Sequence, residues 1–239
     1  MLKISNNIIL EDDHIVAINK PAGLLTVPDR EGKDVSLKQI LKNQYGEIFT
    51  VHRLDKETSG VVVFAKNESA HRDLSVQFEN RNNTKLYNGL VLGTPFEKSG
   101  VIDEPISEHP SHKGVMTVYK KGKESKTGYE VLESFRLYSW MQFQIFTGRT
   151  HQIRVHMKFL GHPVVCDPLY GDGKPVYISQ LKKKAYKLSQ DAEAEQPILS
   201  RLALHASQLK FELQGKLYEL EAPMPKDLRA TLQQLRKNV

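Results

Sequence analysis

"VHRLDKETSGVVVFAK", residues 51–66, changes character at Gly60. The polar side chains of His52, Arg53, Asp55, Lys56, Glu57, Thr58 and Ser59 lead directly into a continuous apolar run, 60–66. Such a run, rich in β-branched residues, reads as a strand buried on both faces. A polar loop anchored on a buried strand holds its side chains rigidly, as a catalytic group requires. Asp55 is the member of most interest. A carboxylate acts as nucleophile or base if it is held in place and kept ionised, and a neighbouring cation keeps it ionised by lowering its pKa. Arg53 is close in sequence, and Arg149 and Arg154 are the other candidates if the fold brings them near. The competing reading is a loop whose Asp and Thr bond their own backbone, with Arg in a structural ion pair.

Those two arginines belong to a second dense stretch, "FTGRTHQIRVHMKFLGHPV", 146–164. Thr150 can cap a helix over 151–160, stopped by Gly161 and Pro163. On it His151, Arg154 and Lys158 share one face, and Ile153, Met157 and Leu160 form the opposite, buried stripe. Arg154 then projects from a rigid helix and Arg149 from the turn before it, a disposition suited to gripping carboxylate or phosphate. A metal site does not fit. His151 and His156 are five apart, not on one face, and the stretch has no acidic residue. Cys166, in "PVVCDP", lacks the electropositive surroundings of a reactive thiol.

Working outward, "HIVAINKPAG" (14–23) reads as a strand into a turn, and "KLYNGLVLG" (85–93) as another strand. Asp34 can cap a helix bearing Leu37, Ile40, Leu41 and Tyr45, closed by Gly46. Ser69 can cap one bearing Ala70, Leu74 and Phe78. Residues 115–146 read as several strands. "HASQLKFEL" and "KLYELEAP" flank Gln214-Gly215 as a hairpin, and Leu228, Leu232 and Leu235 mark a closing helix. The order is mixed rather than βαβα, which predicts an α+β fold with an antiparallel or mixed sheet in one domain, 1–239. Residues 172–200 have no clean period and read as an insertion.

The chain has 239 residues and a single cysteine, so no internal disulfide forms. No apolar run approaches the ~18 residues of a membrane span, and the N-terminus lacks the apolar segment of a signal peptide. These readings predict a soluble cytoplasmic monomer. A net charge of +6 suits a polyanionic partner. Lys120, Lys121 and Lys123, with Lys182, Lys183 and Lys184, form two lysine clusters.

"HRLDKETSG", "NKPAGLLTVP", "KLYNGLVLG" and "TGRTHQIRVHMKFLGHPVVCDPLYG" resemble, in order and spacing, the signature blocks of the RluA-type RNA pseudouridine synthases. "LALHASQLKFEL" resembles the family's late block, so the likeness runs from about residue 8 to residue 223. The resemblance implies an isomerase that detaches a uracil from its ribose in RNA, turns it and rejoins it through C5, with no cofactor and no metal. It implies a long mixed, mostly antiparallel sheet with flanking helices and a central catalytic cleft. It gives Asp55 the catalytic aspartate's role and Tyr87 that of the base-stacking tyrosine. Arg154 becomes the arginine paired with the aspartate, Arg53 the residue filling the space of the flipped nucleotide, and Leu204 the apolar wall of the uracil pocket.

His52, Thr58, Arg149 and His151 join these as substrate-binding candidates. Because many relatives carry an extra N-terminal RNA-binding domain for which this sequence shows no room, RNA is expected to be held by the lysine clusters with Arg149, Lys158 and Lys174. The partner is then a stem-loop of rRNA, tRNA or both. A hydrolase using Asp55 and a histidine, and an inactive RNA-binding module, are the alternatives. Hydrolysis would release uracil or cut the strand. An inactive module would be expected to lack Asp55 or Arg154, and both are present.

Overall fold

A computed structural model describes residues 4–29, 32, 34–182 and 195–238. In chain order the elements are β1 (Ile8–Glu11), β2 (Ile15–Lys20), α1 (Leu37–Tyr45), β3 (Phe49–Thr50), β4 (Ser59–Ala65), α2 (Glu68–Glu79), β5 (Thr84–Leu92), β6 (Ser99–Asp103), β7 (Ile106–His109), β8 (His112–Val118), β9 (Lys126–Ser134), β10 (Tyr138–Ile145), α3 (Gln152–Phe159), α4 (Ile178–Leu181), β11 (Leu204–Leu213), β12 (Lys216–Glu221) and α5 (Lys226–Lys237). This is the α+β class with a mixed sheet. Strand pairs β1/β2, β2/β4, β6/β9 and β11/β12 are antiparallel, and β4/β11 is parallel. Among the described residues no helix is long and apolar enough to cross a membrane.

The chain divides into two compact units that the sequence does not mark. The first comprises 1–88, 144–150 and 204–223. Its strands run β1-β2-β4-β11, with β12 on the hairpin side of β11 and the first half of β5 next to β11. Its centre is β4, buried at every residue as its apolar run predicts and paired with Ile15–Lys20 of β2. Helix α1 buries Leu37 and Leu41, and α2 buries Ala70 and Leu74.

Both helix starts differ from the sequence reading. Ser36, not Asp34, caps α1, accepting the Gln39 amide while Gln39 answers the Ser36 amide. Asp34 is held instead by Lys56 at 2.7 Å. Asn67, not Ser69, caps α2, accepting the Ala70 amide at 2.9 Å. The hairpin at Gln214-Gly215 forms as read, both residues having the positive φ a tight turn requires (51° and 75°).

The second unit comprises 89–143, 151–203 and 224–239. Here the second half of β5 runs with β10, β9 and β6, and β7–β8 form a separate hairpin. Helix α3 lacks the expected solvent face: Gln152 through Met157 are all buried. Its polar side chains are consumed internally. Gln152 Nε2 donates to Thr127 Oγ1 (2.9 Å), and that hydroxyl lies 2.9 Å from His156 Nδ1. Nε2 of His156 donates to the Glu104 carbonyl at 2.9 Å. Thr150 does not cap the helix; His151 takes that position in a left-handed conformation, φ 56°. Leu228, Leu232 and Leu235 of α5 are buried as read.

Candidate active site

The loop 51–58 is fastened at several backbone atoms. Thr26 Oγ1 donates to the Leu54 carbonyl (2.8 Å), and the Leu54 amide donates back to Thr26 Oγ1 (3.1 Å). The Thr58 amide donates to the Asp55 carbonyl at 3.1 Å, closing a turn, and the Thr58 side chain is buried. Lys20, at the end of β2, is fully buried. Its Nζ donates to the carbonyls of Pro21, Leu24 and Lys56 at 2.9, 2.7 and 3.0 Å. An ammonium with three carbonyl acceptors is a satisfied buried cation, and it ties the turn after β2 to the loop that carries Asp55.

His52 is scaffold. The Val63 amide donates to its Nε2 at 3.1 Å, so Nδ1 carries the proton, and its ring stacks on Phe78 at 5.0 Å. Burial, helped by the Lys85 charge, pushes its pKa down to about 3, so the imidazole is neutral. Tyr87 is buried on β5. Burial first, and then the negative charge of Asp55, raise its pKa well above 10, so it is a phenol at neutral pH. Asp55 and Tyr87 therefore act on each other electrostatically. Leu204, the first residue of β11, is buried; it is followed by His205, whose Nδ1 lies 3.0 Å from Ser59 Oγ.

Within this unit lies a cavity of about 570 Å³ whose lining includes His52, Arg53, Phe78, Tyr87, Phe146 and Arg149. Arg81, Lys85 and Glu79 line it too. The sequence reading missed Arg81 and Lys85. For Lys85 a signal existed: two positions before Tyr87 on a strand, its side chain leaves the same face.

Arg154, expected beside Asp55, lies on α3 in the second unit, where its Nε and Nη2 donate to Asp167 Oδ2 and Oδ1 at 2.7 and 2.8 Å, with both side chains buried. Asp167 is fixed in turn by the amides of Leu169 and Tyr170 (2.9 and 3.1 Å), and the guanidinium lies over the Tyr170 ring at 4.9 Å. The bidentate fork matches a carboxylate that its own turn presents. His151 Nδ1 lies 2.7 Å from Tyr170 Oη, which also accepts the Met116 amide at 2.8 Å.

Of the lysine candidates, Lys120, Lys121, Lys123, Lys158 and Lys174 are exposed in the second unit, and Lys182 ends α4. Lys183 and Lys184 lie outside the described residues, as does 183–194 of the expected insertion. Among the described residues no group of three or more His, Cys, Asp and Glu could hold a metal ion. Cys166 is buried, and burial pushes its thiol up to about 11, which makes it unreactive.

Residues 14–159 match the sequence pattern of the RNA pseudouridylate synthases. A ribosomal large subunit pseudouridine synthase D of Nitrosomonas europaea is 39% identical over 237 residues, which cover 96% of this chain and 65% of that protein. Its counterpart in Haemophilus ducreyi is 37% identical, with 96% of this chain and 70% of that protein covered. The chain thus spans roughly two thirds of the length of these relatives. Among solved structures, human RNA pseudouridylate synthase domain containing 4 superposes with a TM-score of 0.74 at 26% identity, covering 98% of this chain and 94% of that one. Sequence pattern, relatives and fold agree: the chain belongs to the RNA pseudouridylate synthase family, isomerases that act on uridine in RNA.

Proposed function

We propose that this protein converts one uridine of large-subunit ribosomal RNA, with tRNA as a second substrate, to pseudouridine. The observation that carries the reading is an aspartate acting on a buried tyrosine, beside a pocket with basic and aromatic walls. A uridine must leave its stack before its glycosidic bond can be reached, at roughly a few kcal/mol. Aromatic platforms and an inserted arginine offset that cost. Tyr87 stacks on the flipped base, Arg53 fills the space it vacates, and Leu204 walls the pocket. Asp55 stabilises the positive charge that develops at C1′ when the bond breaks.

The cation that pairs with Asp55 is assigned to Arg149, which lines the pocket with Arg53 and Tyr87. Arg154, engaged by Asp167, is a scaffold residue in this reading. The relatives' names specify the large ribosomal subunit, which favours rRNA as the target. The protein works as a cytoplasmic monomer, without metal or cofactor. Lys120, Lys121, Lys123, Lys158, Lys174, Lys182, Lys183 and Lys184 hold RNA backbone outside the pocket.

The test is site-mapped pseudouridine, by carbodiimide labelling and primer extension, on rRNA and tRNA from cells with and without the protein. One position loses its modification when the protein is absent. Asp55→Asn fails to restore that position while still binding the RNA. Restoration by Asp55→Asn would refute the assignment.

A further inference from the structure

Two cations in the pocket have no role in the chemistry above. Arg81 and Lys85 come from the turn after α2 and from β5, and they line the cavity with Arg53, Arg149 and a single carboxylate, Glu79. A neutral uracil gives such a cluster of cations nothing to bind, whereas a phosphodiester does.

Arg81 stands where glycine usually stands. Helix α2 closes with the Asn82 amide donating to the Gln77 carbonyl at 2.9 Å, the long bond of a Schellman turn. Arg81 takes the left-handed position of that turn, φ 61°. For an L side chain this costs roughly 1 kcal/mol that glycine avoids. The backbone favours glycine, yet an arginine occupies the position and lines the pocket; an outlier of this kind points to a use for the side chain.

Lys85 is placed with equal economy. It shares a strand face with Tyr87, and its Nζ lies 4.7 Å from the centre of the Phe78 ring. The groups that share the pocket with it are Arg53, Arg81, Arg149, Glu79, the Tyr87 phenol and the neutral His52. Burial pushes Lys85 down to about 8.

We propose that Arg81 and Lys85 hold the phosphate of a nucleotide next to the target uridine, a second anchor inside the same pocket. This rests on the RNA reading above. A bound phosphate stabilises the protonated lysine, so binding draws a proton onto Lys85 where the free amine has begun to lose it.

The experiment measures the dissociation constant of a uridine-rich single-stranded RNA oligonucleotide by fluorescence anisotropy in low salt, from pH 7 to 9.5. It compares the unaltered protein with Lys85→Arg and Arg81→Gly. The unaltered protein loses affinity above pH 8, approaching about tenfold per pH unit. Lys85→Arg, which cannot titrate there, holds its affinity within about threefold over the same range. Arg81→Gly, whose backbone the turn prefers, keeps or raises its Tm and yet binds about tenfold more weakly.

An alkaline loss in Lys85→Arg equal to that of the unaltered protein overturns the proposal, as does unchanged affinity in Arg81→Gly. Failure of the unaltered protein to bind the oligonucleotide overturns this site and leaves the activity to the site-mapping experiment. Binding with the expected variant effects, but no pseudouridine formed in any RNA, supports this site and rejects the activity alone.

Discussion

His52 accepts a backbone amide at Nε2 and is held by burial at a pKa of about 3, against 6.5 ordinarily. As pH falls, the unfolded chain takes up this proton first. The contribution to stability is therefore complete above about 6.5 and is lost progressively from there towards pH 3. His156 is lowered in the same direction, mainly by burial. At pH 5 the His52 loss alone is on the order of 2 kcal/mol. Urea midpoints at pH 7 and pH 5 check this: the drop shrinks in His52→Gln, and an equal drop in that variant would assign the acid sensitivity elsewhere. The Arg154–Asp167 pair makes a different prediction. Asp167→Ala leaves a buried guanidinium uncompensated and lowers stability by about 3–5 kcal/mol. Arg149→Gln, in contrast, leaves the thermal midpoint near that of the unaltered protein and abolishes pseudouridine formation. The reverse pattern would return the catalytic role to Arg154.

Strand β4 meets β11 in parallel where Gly60 faces Ala206. Gly60 has φ 119°, and a Cβ there would run into the Ala206 carbonyl and amide. Gly60→Ala combines backbone strain with overpacking and is expected to cost at least about 3 kcal/mol. Asn67→Ala, which removes only the α2 cap, costs about 1 kcal/mol. Denaturant melts of the two variants separate a seam from a cap. Elements with a strong period were legible in the sequence: β4 from its apolar run, the β11–β12 hairpin from Gln214-Gly215, and α5 from its leucines. Caps were misread by two residues because Asp34 and Ser69 have the right chemistry, and only three-dimensional geometry shows that Ser36 and Asn67 reach the open amides. Strands β1, β6 and β7, of four or five residues, are too short to show a period. Of the candidate site, Asp55, Tyr87 and Arg53 stand in recognisable motifs, and Tyr87 and Arg53 line one pocket. The partner of Arg154 was not, because Asp167 lies on a turn thirteen residues away and no helical or strand period connects them.

At the scale of the whole molecule the net charge of +6 matters through the cations left to meet phosphate. If Arg81 and Lys85 hold one phosphate and Lys120, Lys121 and Lys158 neutralise three more, log affinity for single-stranded RNA falls with log salt with a slope of about −3. Raising salt from about 50 to 200 mM then weakens binding about fiftyfold, measurable by anisotropy; a flat profile would exclude phosphate contacts as the source of affinity. The first unit is also assembled from three distant parts of the chain, 1–88, 144–150 and 204–223. Ser59 and His205, side by side on β4 and β11, are 146 positions apart. During synthesis, therefore, Asp55 leaves the ribosome long before the strand that braces its loop exists. Until residues 204–213 emerge, the Ser59–Gly60 edge has no parallel neighbour to pair with. The nascent chain cannot acquire activity in stages: a product shortened before β11 would carry the whole Asp55 motif and still be inert.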